Sequence, residues 1–171
     1  MDEIELVAYD PRWPRLFAEE ETRLRRALDP KLILDIQHFG STAIPDLSAK
    51  PIIDILIAVP SLGAARESFV AALDTLGYAF WADNPKQDRL FFVKGLPPAP
   101  ARTHHVHVAE PDAEPWRRLP FRDYLRTHPE AADQYETLKR SLAARYREDR
   151  EAYTAAKEDF VREILARAAE N

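Results

Sequence analysis

The hydrophobic positions of residues 1–110 change repeatedly between the spacing of strands and the spacing of helices. Pro51–Val59 is an almost continuous β-branched run, typical of a strand covered on both faces, and Asp54 is its one charged residue. The apolar spacing predicts strands at residues 32–39, 51–59, 78–81, 89–94 and 104–109, and helices at 11–28 and 63–76. The proline-rich stretch 94–103 is predicted to be an exposed loop.

From residue 111 onward the spacing is helical. A first helix carries Trp116 and Leu125 inward, with an interruption near Pro120. Thr127–Glu130 has the form of a capping box and starts a second helix, and Asp149 caps a single last helix. We therefore predict one α+β domain over 1–171, with a mixed β-sheet region at 1–110 flanked by helices and a helical C-terminal region at 111–171.

Composition narrows the possible chemistry. The chain has 171 residues, 24 basic and 29 acidic side chains, a formal net charge of −5 and no cysteine. The lack of cysteine excludes disulfides, thiolate zinc sites, iron–sulfur clusters and a cysteine nucleophile. The net charge argues against a nonspecific nucleic-acid binder, which would carry a basic surface. No run reaches the roughly 18 apolar residues of a membrane span, and the acidic start lacks the features of a secretory signal. We expect a cytoplasmic protein with no membrane partner.

The densest group of candidate functional residues surrounds Asp54. A buried carboxylate needs a cation, because an unpaired buried charge is costly. For Asp54 that cation is either a metal ion or the side chain of Lys50 or Arg89. The turn Gly40–Thr42 follows a predicted strand, and a Gly-Ser turn lets backbone N–H groups and a hydroxyl approach a phosphate closely. Asp54 on the next strand would then hold Mg²⁺ against the same phosphate.

This arrangement resembles the nucleotidyltransferase superfamily, whose pattern is Gly-Ser, a spacer and then an aspartate pair on a strand. More specifically, the chain is similar to the GrpB family of nucleotidyltransferase-like proteins, over nearly its whole length. The segments that carry the resemblance are Tyr9–Pro14, His38–Pro45, Ala49–Ile55, His105–Val108 and Phe121–Pro129.

The resemblance implies a nucleotidyltransferase-type fold and phosphate or nucleotide chemistry with a divalent metal, Mg²⁺ or another such as Mn²⁺. Family members fused to dephospho-CoA kinase also imply that kinase as a protein partner. The sequence departs from the active superfamily pattern at Leu56, where the second metal-binding carboxylate would stand. Two-metal catalysis normally needs several carboxylates. Asp46 stands where the family usually has glycine, and either adds a carboxylate near the site or lies in a surface turn.

His105 and His107 are two residues apart on a predicted strand and therefore share a face. If that strand lies beside Asp54, the three form a metal site with two histidines and one carboxylate. The alternative is that the histidines hydrogen-bond phosphate, substrate or backbone, or only border the sheet.

The remaining candidates would bind substrate phosphate. They are His38, Gly40, Ser41, Thr42, Lys50, Arg89 and Lys94. Each has a structural alternative: a hydrogen bond within the fold for His38, a helix cap for the two hydroxyls, and a solvated or paired surface charge for the three cations.

Three functions are compatible with these residues. The first is nucleotidyl transfer, with Asp54 as the catalytic metal ligand and the acceptor unidentified. The second is a non-catalytic accessory protein that assists dephospho-CoA kinase, which Leu56 favours. The third is a metal-dependent hydrolase built on Asp54, His105 and His107.

Overall fold

A computed structural model of the chain describes residues 4–170, and its centre is a five-stranded mixed sheet. The strands are β1 (Asp35–Phe39), β2 (Ile53–Ala58), β3 (Tyr78–Phe80), β4 (Arg89–Lys94) and β5 (His104–Ala109). They lie in the order β1-β2-β5-β4-β3, with β2 and β5 parallel and the other neighbouring pairs antiparallel. The predicted α+β class with a mixed sheet is confirmed.

Two helices, α1 (Trp13–Ala27) and α2 (Leu62–Asp74), cover one face of the sheet. Pro14 lies in the first turn of α1, where a missing N–H costs nothing, and the Ser61 hydroxyl caps α2 by accepting the Ala64 N–H. Alternate residues of β2 point into this layer. Ile53, Ile55 and Ile57 join the helices in the main hydrophobic core.

The same alternation turns Asp54 and Leu56 toward the opposite face. Because β2 and β5 are paired in register, with Asp54 beside His105 and Leu56 beside His107, both histidines share that face. The strand pattern therefore decides which side of the sheet carries polar chemistry.

The C-terminal region is helical, as predicted. Its helices are α3 (Glu114–Arg117), α4 (Leu119–Thr127), α5 (Pro129–Arg145), α6 (Arg150–Ala156) and α7 (Glu158–Ala169). These helices dock on the segment between β1 and β2. Arg126 Nε donates to the Ala43 carbonyl at 2.8 Å, and Lys139 Nζ donates to the Ser48 carbonyl at 2.7 Å.

The prediction of a single last helix after Asp149 is wrong, because the chain bends at Lys157 between α6 and α7. The two helices bury their apolar residues in different clusters. Tyr153 packs with Ile4 and Leu142, whereas Ile164 packs with Tyr135 on the far side of the bend. One straight helix could not place Tyr153 and Ile164 in these two different clusters.

Two further points concern element bounds and membranes. The predicted strand 32–39 begins only at Asp35, because Pro30–Leu32 forms a 3₁₀ turn capped by the Asp29 carboxylate. Within residues 4–170, no helix has the length and apolarity needed to cross a membrane.

Candidate functional site

The sheet brings Asp54, His105 and His107 together at the centre of its polar face. Asp54 Oδ1 lies 3.4 Å from His105 Nδ1 and 3.7 Å from His107 Nε2. Each residue offers one ligand atom, and the three atoms lie within 4.8 Å of one another. The geometry fits the predicted grouping of the three residues, which are the ligand types of a two-histidine, one-carboxylate metal site.

The electrostatics of this group favour an ionised carboxylate. Burial by itself would raise the pKa of Asp54, but hydrogen bonding to His105 and His107 holds it well below its usual range. Burial lowers the pKa of His107, which keeps that imidazole neutral and able to donate a lone pair. A carboxylate anion beside neutral imidazole is the protonation state that metal binding requires.

Phenylalanines surround the two imidazoles. Phe91 lies 5.1 Å from His105 and 4.8 Å from His107 between ring centroids, and Phe39 lies 5.0 Å from His107. His105 Nε2 and His107 Nδ1, the nitrogens directed away from Asp54, are buried without a hydrogen-bond partner among residues 4–170. On the side away from Asp54, the imidazole planes are therefore held by packing against these rings.

Gly40 makes room for the Asp54 carboxylate. Its φ of +72° is favourable only for glycine, and a Cβ built there would lie 2.6 Å from Asp54 Oδ2. The turn after β1 thus lies directly against the side chain of the candidate metal ligand Asp54.

Leu56, at the position of the missing second carboxylate, is fully buried. Its cross-strand neighbour on β5 is His107. The His107 imidazole therefore lies beside the position where a second acidic side chain would stand. Asp46 does not compensate, because it is exposed in a turn with φ +64°. That backbone conformation suits glycine better than aspartate.

A cavity of about 330 Å³ opens above these residues, between the sheet and the C-terminal helices. Its lining contains only two acidic residues, Asp54 and Glu114, among the described residues. The basic lining residues are Lys50, Lys86, Arg89, Arg118, Lys139 and Lys157. A protein with a net charge of −5 therefore has a strongly basic pocket, which suits a small anionic ligand. A more open cavity of about 700 Å³ shares Lys50 and Ile52 with it but contains none of the three candidate metal ligands.

Three of the cavity lysines are at least partly buried and close to aromatic rings. Lys157 Nζ lies 4.3 Å and Lys50 Nζ 5.9 Å from the centroid of the Tyr153 ring. Lys139 Nζ lies 5.2 Å from the Tyr135 centroid. Burial lowers the pKa of all three lysines, to about 7 for Lys139 and about 8 for Lys157.

Two other predicted phosphate-binding residues, Ser41 and Arg89, line the cavity but already have bonding partners within the fold. Ser41 lines the cavity and is hydrogen-bonded to Tyr135, whose pKa burial raises to about 12. Arg89 also lines the cavity, but its guanidinium is paired with Asp88 at 2.8 Å and Glu114 at 2.6 Å. Its charge is thus already neutralised by neighbours within the fold.

His38 and Thr42 form a structural link. The buried Thr42 hydroxyl donates to the Ile52 carbonyl at 3.3 Å, so His38 Nε2 donates to that hydroxyl at 2.9 Å. The His38 ring stacks on Phe17 of α1, on the face of the sheet opposite the cavity. Burial lowers its pKa to about 4. The structure thus places His38 away from the predicted phosphate, although Thr42 reaches the cavity wall.

Lys94 is also placed away from the predicted site, and the expectation that it faces the ligand is wrong. Strand alternation turns it toward the α1 face, where its Nζ lies 2.7 Å from Glu20 Oε1. Glu20 is fully buried and also accepts a hydrogen bond from the Tyr78 hydroxyl at 2.7 Å. Lys94 therefore neutralises a buried carboxylate of the core.

Lys139 and Lys157 were not among the residues predicted from the sequence. Lys139 had one detectable signal, since it stands four residues after Tyr135 and three before Leu142, in the middle of the apolar face of α5. A lysine there is 2 % exposed in the structure. Lys157 gave no such signal, because its position depends on the bend between α6 and α7.

Comparison with known proteins agrees with this architecture. The model of the family described as GrpB protein matches residues 3–167. A UPF0157 protein of Pseudomonas aeruginosa is 52% identical over 169 residues, covering 98% of this chain and 68% of that protein. The glutamate-rich protein GrpB of Alkalihalophilus pseudofirmus is 38% identical, covering 95% of this chain and 94% of that protein.

Two further matches concern structure and domain context. The crystal structure of conserved protein GrpB from Enterococcus faecalis superposes with a TM-score of 0.85, at 33% identity, over 97% of this chain and 98% of that chain. A dephospho-CoA kinase of Mycolicibacterium paratuberculosis is 35% identical over 189 residues, which cover 96% of this chain but 46% of the kinase.

Proposed function

We propose, from the premise that this chain belongs to the GrpB family of nucleotidyltransferase-like proteins, that its basic cavity binds a small phosphate-containing ligand together with one divalent metal ion. The observation that carries the proposal is the juxtaposition of Asp54, His105 and His107 with the Gly40–Ser41 turn on the floor of that cavity. The cavity volume and the net charge of −5 favour a nucleotide-sized ligand over a nucleic acid.

The residues present fit one metal ion better than a pair. A two-metal phosphoryl-transfer site needs several bridging carboxylates, and this face of the sheet offers Asp54 with two imidazoles. Mg²⁺ prefers oxygen ligands. Imidazole binds Zn²⁺ more tightly than Mn²⁺, and Mn²⁺ more tightly than Mg²⁺. We therefore rank Mn²⁺ and Zn²⁺ above Mg²⁺ for this site. When bound, such an ion would polarise a phosphoryl oxygen.

The residues of the chain have separable roles in this proposal. Asp54, His105 and His107 would hold the ion, and Gly40 keeps the space beside the Asp54 carboxylate open. The Ser41 hydroxyl and the Lys50 ammonium line the same cavity and would bind phosphate oxygens. With a nucleoside triphosphate as ligand, the reaction would be nucleotidyl transfer to an acceptor, with pyrophosphate released.

Thermal-shift measurements with a panel of nucleotides test this function. The wild-type chain and Asp54→Ala would each be measured with Mn²⁺, Zn²⁺ or Mg²⁺ present. We expect stabilisation of the wild type by metal and nucleotide together, and its loss in the variant. The proposal is wrong if no nucleotide stabilises the wild type and Asp54→Ala behaves like it.

A second function, that of a non-catalytic accessory protein, is supported by the buried Leu56 and by the kinase match. The fold would then bind its ligand without turnover, and a partner such as dephospho-CoA kinase would use it. The test is a dephospho-CoA kinase assay with and without this chain, alongside a turnover assay of the chain alone. Metal-dependent turnover by the chain alone would rule this second function out.

A further inference from the structure

The three lysines Lys50, Lys139 and Lys157 reach the cavity from separate parts of the chain. Lys50 precedes β2, Lys139 lies in α5, and Lys157 lies at the bend between α6 and α7. Among residues 4–170, no carboxylate oxygen lies within 4.0 Å of the ammonium nitrogen of any of them. We call this set the lysine cluster.

Such an arrangement is unfavourable in the empty protein. Removing an ammonium group from water costs several kcal/mol unless an anion pairs with it, on the order given by measurements on buried ion pairs. The lysines also repel one another, since Lys50 and Lys157 lie on the same Tyr153 ring. Nearby groups supply only partial compensation. The Ser48 carbonyl accepts a hydrogen bond from Lys139, and the carboxylates of Asp54, Glu136 and Glu158 attract the lysines from more than 4.0 Å away. The Tyr153 hydroxyl is buried and lacks a hydrogen-bond partner among the described residues.

We infer that the lysine cluster is the binding site for a chain of at least two linked phosphates, held between the sheet and the C-terminal helices. The spread of the lysines sets the ligand class, because they reach the cavity from three separate parts of the chain and beside two different tyrosine rings. A single phosphate group is compact and carries about −1.5 to −2 charges at pH 7. A diphosphate or triphosphate chain presents separate phosphoryl groups to separate lysines.

The position of the cluster agrees with this ligand class. Lys139 lies beside the ring of Tyr135, which is hydrogen-bonded to Ser41 of the Gly40–Thr42 turn. Lys50 and Lys157 lie beside Tyr153, which also lines the cavity. A linked phosphate chain would therefore extend from the Ser41 turn toward Tyr153, and would tie the helical region to the sheet.

This inference rests on the proposed function of the cavity as a phosphate site, but it does not require the metal. It assigns phosphate binding to Lys139 and Lys157 of the helical region, in addition to the Gly-Ser turn. The probes are therefore inorganic phosphate, pyrophosphate and tripolyphosphate, without a nucleoside and in the presence of EDTA.

Isothermal titration calorimetry at pH 7 tests the lysine cluster. We expect tripolyphosphate to bind at least tenfold more tightly than inorganic phosphate. Lys139→Met and Lys157→Met should each weaken tripolyphosphate binding at least tenfold. Lys31→Met, a change at an exposed lysine before β1, is the matched control and should leave the affinity unchanged. Circular dichroism of each variant establishes that it is folded.

Several outcomes would overturn the inference. Equal affinity for inorganic phosphate and tripolyphosphate would exclude a site for linked phosphates. Unchanged tripolyphosphate affinity in both folded variants would exclude the lysines. Asp54-dependent Mn²⁺ binding without polyphosphate binding would overturn the lysine cluster and leave the metal part of the proposed function standing. The absence of both kinds of binding would overturn both.

Discussion

Replacing Lys139 by methionine should stabilise the protein while it weakens ligand binding. Methionine has a similar length and no charge, so it can occupy the same buried space in α5. If Lys139 is a binding residue held in an unfavourable state, its replacement should raise the stability of the fold and lower the affinity for ligand. If Lys139 only supports the fold, its replacement should lower the stability.

The structure sets the magnitude. Burial, followed by repulsion from Lys157 and Lys50, lowers the pKa of Lys139 from 10.5 to about 7, and the attraction of Glu136 and Asp54 does not offset it. At about 1.4 kcal/mol per pKa unit, the unfavourable free energy at pH 7 is roughly 4 kcal/mol. Loss of the hydrogen bond to the Ser48 carbonyl would cost ~1–3 kcal/mol. We expect a net gain in the free energy of unfolding of ~1–3 kcal/mol.

The gain should depend on pH with a defined sign. Between pH 7 and pH 10.5 the unfolded chain binds more protons at Lys139 than the folded chain, so wild-type stability rises with pH in this window. The advantage of the methionine variant should therefore be largest at pH 7 and shrink toward pH 10.

Thermal unfolding in phosphate-free buffer measures this effect. We expect the melting temperature of Lys139→Met to exceed that of the wild type by roughly 2–12 °C at pH 7, since 1 kcal/mol corresponds to about 2–4 °C at this chain length. Lys31→Met is again the control and should shift it little. A variant less stable than the wild type at pH 7, or a gain that is the same at pH 10, would refute the reasoning.

Three further substitutions separate metal binding, backbone conformation and core electrostatics. Asp54→Asn should weaken Mn²⁺ binding at least ~100-fold by calorimetry, because it removes the anionic ligand, whereas Asp46→Asn in the exposed turn should not; equal losses would contradict the site. Gly40→Ala should lower the free energy of unfolding by at least ~2 kcal/mol and impair Mn²⁺ binding, because its Cβ would meet the Asp54 carboxylate. Gly63→Ala in α2, whose Cβ would make only an ordinary contact with Ser61 Oγ at 3.9 Å, should be neutral or slightly stabilising, and a similar loss there would contradict the argument. Lys94→Met should destabilise the fold by about 2–4 kcal/mol in urea titrations and leave tripolyphosphate affinity unchanged; weakened binding in the folded variant would return Lys94 to the site.

Strand alternation made much of the sheet predictable. The β-branched run around Asp54 and the His105/His107 pair are local patterns, and parallel pairing in register puts them side by side. The face occupied by Lys94 was also encoded, because Leu90 and Phe92 share its parity and both point into the core. A parity argument applied to the whole of β4 would have placed Lys94 on the α1 face.

The lysine cluster was less accessible from the sequence. Lys139 interrupts an apolar helical face, which signals a buried cation but not the cavity it enters. Lys157 reaches the cavity through the bend between α6 and α7, and that bend arises because two hydrophobic clusters compete for one amphipathic segment. Such contacts between distant segments follow from tertiary packing, which local periodicity does not specify.

The central claim is that one cavity holds a divalent ion on the sheet and a phosphate chain on the lysines. Anomalous diffraction from crystals grown with Mn²⁺ and tripolyphosphate tests it most directly. We predict a manganese peak bonded to Asp54, His105 and His107, with phosphate density between Ser41 and Lys157. A manganese peak elsewhere, or a phosphate chain bound outside this cavity, would contradict the account.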